Sequence, residues 1–510
     1  MNGWIIAPIL LPALTAPFLV LALRRDIKLQ RTVSLTATAL LVAVSFGLLL
    51  LASDGVVRPY ALGAWPAPFG IVLVLDRLSA LLVLLTAVLA MVIAVYAAHD
   101  WDRKGHHFHP LFQFQLMGIN GAFLTGDVFN LFVFFEVMLI ASYGLLLHGG
   151  GPRRLGAGFQ YVAINLVGST LFLIAVGLIY AVTGTLNMAD LALKAPKVAE
   201  ADVALLRTGG LLLLVVFAIK AALVPFHWWL PTAYAAAPAP VAALFAIMTK
   251  VGAYAIIRMS TLVFGPEAGA AADLAGPYIV PLALATLVVA AAGILASRTL
   301  VDLVCFAVMW SMGSLLLAVG VFDAKGLTAA IYYTIHSTLV AAALFLIVDL
   351  VAARRPGTAD RLQAAPPMAE AAAIAGLFFL AAIAVTGLPP LSGFIGKLMI
   401  LDATRSAGAA GWIWAILLGT SLLVIIGFSR AGSILFWNSE AAGEASTPAM
   451  PGRAVPIAAA ALLIAGAALL AFFAGPIVTY AEATARQTLE PAVYIRAVLG
   501  PETLARLSGR

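Results

Sequence analysis

Apolar runs of about 20 residues alternate along the whole chain with short segments rich in charge, proline and glycine. A helix needs a run of that length to cross the roughly 30 Å hydrocarbon core of a bilayer. The pattern predicts an all-α polytopic membrane protein with about fourteen transmembrane helices, called spans 1 to 14 below. Their predicted limits are 4–23, 32–53, 71–97, 110–125, 128–147, 160–182, 207–230, 237–263, 277–296, 300–320, 326–352, 371–404, 411–437 and 454–480.

Composition supports a single membrane domain. The 510 residues are 63% hydrophobic and only 10% charged, which is too apolar for a soluble protein of this size. No stretch is hydrophilic enough for a soluble domain, and the formal net charge of +6 reports on loops rather than on nucleic-acid binding. We divide the domain 1–510 into N-terminal spans 1–109, a first repeat 110–263, a second repeat 277–437 and a last span with its tail, 454–510.

Basic residues are distributed unequally between the two sets of loops. With the N-terminus placed outside the cytoplasm, the inner loops hold the larger set, and an even number of spans also places the C-terminus outside. The inner set is Arg24, Arg25, Lys28, Arg31, Arg103, Lys104, Arg153, Arg154, Arg298, Arg354, Arg355, Arg361 and Arg453. The outer set is Arg58, Lys194, Lys197, Arg207, Lys325 and Arg405.

Spans 7 and 12 carry interruptions that the other spans lack. Span 7 contains KAALVPFHWWLP (220–231), in which Pro225 removes a backbone donor soon after a lysine. Span 12 contains GLPPLSGF (387–394) and then Lys397. Span 11 carries polar residues and is a further candidate for irregular structure. A broken helix at membrane depth is tolerated beside protein or a watery cavity, so two such spans five apart predict inverted five-helix repeats, spans 4–8 and 9–13.

Five titratable side chains lie near the centres of predicted spans: Glu136, Lys220, Lys250, His336 and Lys397. Ionisable groups at membrane depth are costly, and they usually mark ion or proton pathways. Burial also moves the pKa values of lysines and carboxylates towards neutrality, where both can exchange protons. We therefore predict a proton-transfer path through these five residues. The alternative for each is structural: an ion pair, helix packing or, for His336, hydrogen bonding to neighbours.

Other polar residues have interpretations that need no transport. Asp127 follows a glycine and is expected to cap span 5. His227, beside the span 7 break, is either part of the path or a cap for freed carbonyls. The histidines at 106, 107 and 109 are not expected to hold a metal, and the single cysteine, Cys305, excludes a disulfide framework or a thiolate-held cluster. Neutral side chains that could line a wet path are Gln113, Gln115, Asn120, Asn165, Ser169, Thr170, Ser311 and Ser314.

Several motifs together resemble a known family. The segments 220–231, TKVGAY (249–254) and 387–394 resemble the antiporter-like subunits of respiratory complex I and of Mrp-type cation/proton antiporters. Three further segments are similar to the D-type subunit of Mrp antiporters: GAWPAPFGI (63–71), GINGAFLTGDVFNLFVFFE (118–136) and ALFAIMTKVGAY (243–254). The chain departs from complex I subunits in having Ala222 and Thr232 where they usually carry proline and aspartate, and Lys397 where one of them often carries glutamate.

The resemblance implies a fourteen-span subunit with a hydrated polar axis. It places Glu136 and Lys220 at proton uptake, Lys250 and His336 between the halves, and Lys397 on the release side. It implies a multisubunit Na⁺/H⁺ antiporter in the bacterial cytoplasmic (inner) membrane, with other membrane subunits as partners, no cofactor and no enzymatic activity. The alternative is a proton-pumping subunit of a complex I-like NADH–quinone oxidoreductase or a membrane-bound hydrogenase.

Overall fold

The computed structural model describes residues 2–355, 357–438 and 454–507, so Arg453, one of the predicted inner-loop charges, lies outside the described residues. The described part is helical except for one small hairpin and the connections. The helices of the first half are α1 Ala7–Leu21, α2 Ile27–Ala52, α3 Arg77–Ala97, α4 Phe108–Leu124, α5 Val128–Leu146, α6 Pro152–Thr183, α7 Met188–Lys194, α8 Val203–Lys220, α9 Trp229–Ala236 and α10 Ala239–Leu262. Those of the second half are α11 Gly276–Ala296, α12 Leu300–Val319, α13 Ala324–Ala352, α14 Ala371–Thr386, α15 Ser392–Ala403, α16 Ala410–Gly432, α17 Ala454–Phe472, α18 Ala474–Thr488 and α19 Pro491–Leu507.

Long apolar helices confirm the prediction of a polytopic membrane protein. Within the described residues, twelve helical segments are at least 18 residues long and apolar enough to cross a membrane. The two predicted spans that do not meet this length are span 4, which is the 17-residue α4, and span 12, which is divided between α14 and α15. The count of fourteen therefore stays a prediction, as do the four-part division of the domain and the orientation of the termini.

Three details of the predicted spans were wrong. Residues 72–75 form strand β2 (Val72–Leu75), which pairs antiparallel with β1 (Arg58–Ala61), so span 3 begins only at Arg77. Span 14 ends at Phe472, after which α18 starts as a separate helix. Span 11 is not irregular, because α13 continues without a break. A window of hydrophobicity cannot separate a buried strand or a second helix from the apolar run beside it.

Both predicted breaks are confirmed. Span 7 is divided between α8, which ends at Lys220, and α9, which begins at Trp229. The freed backbone groups find partners within the protein, as they must at membrane depth. The indole Nε1 of Trp229 donates to the carbonyl of Ile219 (2.9 Å), and the N–H of Val224 donates to Thr286 Oγ1 (3.0 Å).

Span 12 ends its first half at Gly387, whose φ of +73° closes α14 in the left-handed conformation that glycine adopts readily. The N–H groups of Gly387 and Leu388 bond back to the last turn of α14. After a short connection the chain starts α15 at Ser392. Each break thus keeps its backbone hydrogen-bonded while placing a lysine beside a helix end.

Helix packing follows the same plan in the two halves. Helix α4 packs on α5 as α11 packs on α12, and α6 packs on both parts of span 7 as α13 packs on both parts of span 12. This agreement supports the two-repeat interpretation. Helix α10 is buried along its whole 18-residue apolar window (100%), whereas α2 is buried over 33% of its window. The centre of the molecule therefore lies at α10 and its neighbours, and α2 lies at the periphery.

Candidate functional site

Glu136 and Lys220 are held by the same helix, α6. The Ser169 hydroxyl donates to Glu136 Oε1, and Lys220 Nζ donates to Asn165 Oδ1 (2.7 Å). Asn165 and Ser169 are one helical turn apart, so one face of α6 presents both partners. Glu136 is near enough to Lys220 for a charge–charge interaction, but their charged atoms do not form an ion pair within 4.0 Å. The structure therefore brings this predicted pair together with a gap between the two charges.

Lys250 lies on α10, the helix that packs against the break in span 7. Helix α10 reaches the break because Gly252 has no side chain: a Cβ there would stand 2.7 Å from the backbone nitrogen of Ala221 and 2.9 Å from the carbonyl oxygen of Phe217. Lys250 itself is 1% exposed, and its Nζ has no hydrogen-bond partner among the described residues. A buried amine without a partner is costly. Lys250 is thus a buried amine whose nitrogen is free among the described residues, on the helix that packs against the end of α8.

His336 lies at the junction between α13 and the second half of span 12. Its Nδ1 is 2.8 Å from Ser392 Oγ at the start of α15. Gly393 allows this approach, since a Cβ there would be 2.9 Å from His336 Cε1 and 1.9 Å from the carbonyl oxygen of Ala384. Beside the ring is a small cavity of about 10 Å³, lined in part by Ser311, Ser337 and the ring of Tyr333. That is close to the minimum that holds one water molecule.

The Lys397 amine contacts three groups. Its Nζ donates to the Thr386 carbonyl at the end of α14 and to Ser421 Oγ on α16 (2.8 Å), and it lies 4.9 Å from the centre of the Trp310 ring. A helix carboxyl end and an aromatic face both attract a cation. Gly387 makes room for the amine, because a Cβ there would be 2.9 Å from Nζ. The second break therefore binds its lysine through the helix end that it creates.

The five predicted residues lie in both halves of the molecule, and we refer to them together as the candidate line. Glu136 and Lys220 lie within charge–charge range of each other, and His336 lies within charge–charge range of both Lys250 and Lys397. Lys220, Lys250, His336 and Lys397 are 5%, 1%, 1% and 7% exposed, so four titratable groups lie in the protein interior. Buried lysine and histidine side chains of this kind are groups that can take part in proton transfer.

Several polar side chains lie away from this line. Gln113 donates to Ser34 and Thr38 on α2, and Asn120 donates to the Pro8 carbonyl on α1, so these predicted path residues join peripheral helices instead. Thr170 bonds its own helix at the surface. Asp127 caps α5 as predicted, with its Oδ1 accepting from the Asn130 N–H (2.8 Å).

Other histidines lie outside the candidate line. His227 is half-buried, and its Nδ1 has no hydrogen-bond partner among the described residues, so its role at the break stays open between the two interpretations. His109 Nε2 lies 3.1 Å from Asp102. His106 and His107 are exposed.

Two sets of residues near the site were not predicted from the sequence. The partners Ser392, Ser421 and Trp310 carry no local signal, because small hydroxyls and a tryptophan are ordinary in apolar helices. Arg258 did carry a local signal, because it is an arginine within the apolar run of span 8. It is 5% exposed and donates through Nη2 to Asp76 Oδ2 (2.6 Å), about two turns beyond Lys250 on α10.

Comparisons with known proteins agree with this architecture. The family model described as "NADH:quinone oxidoreductase/Mrp antiporter, TM" matches residues 125–426. The chain is 41% identical to the probable K⁺/H⁺ antiporter D-type subunit of Rhizobium meliloti, over 98% of each protein. It is 37% identical to the Na⁺/H⁺ antiporter D-type subunit of Alkalihalophilus pseudofirmus, over 98% of this chain and 100% of the relative.

The fold gives the same result. A chain in the structure of the Mrp complex from a Dietzia species superposes with a TM-score of 0.86 at 29% identity, and the match covers 98% of this chain and 100% of that one. Sequence and fold agree over nearly the full length, and the family model spans both broken helices. This chain belongs to the NADH:quinone oxidoreductase/Mrp antiporter transmembrane family.

Proposed function

We propose that this protein is the proton-translocating subunit of a multisubunit monovalent cation/H⁺ antiporter in the bacterial cytoplasmic membrane. The observation that carries the proposal is the set of five titratable side chains from Glu136 to Lys397, four of them buried, with a lysine at each broken helix. Intramembrane ionisable residues of this kind are expensive to keep, so a role in transport explains them better than a role in packing. The subunit would be a secondary transporter and not an enzyme.

The relatives support the choice of antiport. The two full-length relatives at 41% and 37% identity are both named as antiporter subunits, one for K⁺/H⁺ and one for Na⁺/H⁺. The similar Dietzia chain belongs to an Mrp complex, which supports other membrane subunits as partners. The family also includes NADH:quinone oxidoreductase subunits, so a redox-driven assembly is the alternative. Nothing in the described residues favours that alternative over antiport.

The first proton step would take place between α5, α6 and α8. A carboxylate close to an ammonium group stabilises it, and one that withdraws lets it give up its proton. Glu136 and Lys220 are separated and each is bonded to α6, so a small shift of α5 or α6 changes the distance between the two charges. Such a shift would switch Lys220 between holding a proton and passing it to Lys250.

The later steps would cross from the first half to the second. Lys250 has a free nitrogen, His336 lies within charge–charge range of it, and Lys397 is held at the second break. The imidazole of His336 can accept a proton on one ring nitrogen and release one from the other. Water molecules would bridge the remaining gaps, as at the small cavity beside His336. Lys397 would then release the proton.

Two substitutions test the proposal in the complete complex. In everted membrane vesicles, Glu136→Ala and Lys220→Ala are expected to abolish the pH change that added Na⁺ or K⁺ causes, because the first proton step is lost. A pH-sensitive dye reports the exchange, and gel filtration of the purified complex reports assembly. Glu267→Ala and Lys325→Ala serve as matched controls, since both side chains are exposed. Normal exchange in both test variants would end the assignment.

A further inference from the structure

A groove rich in basic side chains opens where two loops meet at the predicted inner face. The loops are the α1–α2 turn and the α3–α4 connection. The groove has a volume of about 710 Å³, and its lining includes Arg24, Arg25, Arg103, His106 and His107. All five of these side chains are exposed. None of them belongs to the candidate line.

The acidic groups around the groove are already engaged. Asp26 caps α2 by accepting from two backbone N–H groups, and Asp100 pairs with Lys104 at 3.5 Å. Asp102 accepts from Arg31 Nη2 (2.6 Å) and lies 3.1 Å from His109. Burial opposes ionisation of Asp102, but these hydrogen bonds outweigh it and lower its pKa to about 2. Asp102 therefore stays ionised and paired at neutral pH.

This arrangement leaves three guanidinium groups without a partner. In the part of the chain that the structure describes, the side chains of Arg24, Arg25 and Arg103 make neither a hydrogen bond nor an ion pair. Three like charges that converge on one concave surface repel each other, so an anion in the groove would relieve that repulsion. Guanidinium groups match the oxygens of a phosphate in two-pronged geometry. The groove is therefore complementary to a phosphate group.

An apolar stripe leads into the groove from the membrane. Leu10, Leu14, Phe18 and Leu21 on α1 are 44%, 64%, 50% and 83% exposed. Their spacing places them on one side of the helix, and the stripe ends shortly before Arg24. A helical segment from Leu10 to Leu21 spans roughly 16 Å, which is about half of a 30 Å hydrocarbon core. The stripe thus has the length and polarity of a surface for one acyl chain.

We propose that this groove and stripe bind one anionic glycerophospholipid, with its phosphate between the arginines and an acyl chain along α1. The order of features along α1 and the turn after it, apolar for half a bilayer and then basic, is the order of chain and headgroup in a lipid of the inner leaflet. A soluble phosphate would use the groove without the stripe. An acidic loop of a neighbouring subunit would use the charges without needing a half-bilayer apolar track.

The test uses the purified complex and measures lipid retention by native mass spectrometry. Phosphatidylglycerol is expected to bind tightly, and phosphatidylcholine with the same chains is not. The variant Arg24→Gln/Arg25→Gln/Arg103→Gln should bind phosphatidylglycerol roughly 100-fold more weakly, since each basic residue near an anionic lipid contributes about fivefold. A control variant, Lys197→Gln/Lys325→Gln/Arg405→Gln, removes the same charge from the opposite set of loops and should leave binding unchanged.

Further measurements separate headgroup, chain and neighbouring subunit. Leu14→Ala/Phe18→Ala should weaken binding of long-chain phosphatidylglycerol but leave its dihexanoyl form unaffected. Equal affinity for inorganic phosphate and phosphatidylglycerol would overturn the lipid assignment in favour of a small-anion site. A photocrosslinker at position 103 that captures a partner polypeptide instead of lipid would also overturn it. Gel filtration of each variant checks that the complex still assembles.

Discussion

The buried lysines of the candidate line differ in how many hydrogen bonds they make to the protein. Lys220 donates to one amide and Lys397 to a carbonyl and a hydroxyl, whereas Lys250 has no partner in the described part of the chain. A group that must receive and pass on a proton is served by few fixed bonds, because each bond adds to the free energy needed to release it. The free nitrogen of Lys250 therefore fits a relay between two better-held ends. The close packing of its helix, α10, against the break in span 7 depends on Gly252.

Gly252→Ala tests that dependence. The added Cβ would stand 2.7 Å from the Ala221 nitrogen, a backbone atom that cannot turn aside, so α10 must move away from the break. We expect a stability loss of about 1–3 kcal/mol from overpacking and at least a tenfold loss of cation-dependent proton exchange. Gly177→Ala on α6 is the control, because nothing lies within 4 Å of its new Cβ. Equal behaviour of the two variants in thermal unfolding and vesicle assays would contradict this account.

Individual helices are fixed to one another by buried charge as well as by apolar packing. Arg258 on α10 binds Asp76, the residue that caps α3, and its guanidinium lies 5.3 Å from the ring centres of both Tyr254 and Tyr494. This cluster joins α3, α10 and α19 at the predicted outer end of these helices. A buried pair of this kind is costly to break on one side only, because the other charge stays buried and unpaired.

Asp76→Asn is therefore expected to destabilise the protein by about 3–5 kcal/mol, and thermal unfolding of the purified complex measures this. Asp402→Asn is the matched control, since Asp402 pairs with Lys325 at the surface with side-chain exposures of 55% and 69%. An exposed pair contributes only about 0–1 kcal/mol. Arg258→Met combined with Asp76→Asn should recover part of the loss by removing the orphaned charge. A control that unfolds as early as Asp76→Asn would refute the structural role.

The two halves of the whole molecule pack together chiefly through α10 and α13, and His336 lies on α13. His336 lies between Lys250 in the first half and Lys397 in the second, and it bonds Ser392 at the second break. In the path that we propose, loss of His336 leaves each half with its lysine but removes the group that passes a proton between them.

His336→Phe is expected to reduce cation-dependent proton exchange at least tenfold with normal assembly, because phenylalanine fills the site without a proton-carrying nitrogen. His336→Gln keeps a hydrogen bond to Ser392 but cannot shuttle a proton. We therefore expect it to be more stable than His336→Phe and equally deficient in transport. Vesicle exchange and thermal unfolding separate these two effects. His99→Gln, at an exposed histidine, is the control. Full transport in His336→Gln would show that the histidine only packs.

Much of the fold could be predicted because its signals are local. Apolar run length places the spans, and a proline or glycine cluster marks each break, as at Pro225 and Gly387. Charges in apolar runs identified Glu136, Lys220, Lys250, His336 and Lys397. The structure brings Glu136 near Lys220, and His336 near Lys250 and Lys397, while a proton path through all five stays a prediction. The errors also lay where local signals are ambiguous, since strand β2 and the end of span 14 are as apolar as the helices beside them.

Neighbouring residues and the bilayer thickness were enough to establish that the chain lies in the membrane, where its helices break and which costly charges it keeps. The packed fold was needed to learn which groups those charges meet. Lys220 finds Asn165 across 55 residues, His336 finds Ser392 across 56, and Arg258 finds Asp76 across 182. Such pairs depend on the rotation and close approach of packed helices, which glycines such as Gly252 permit and which no local pattern encodes.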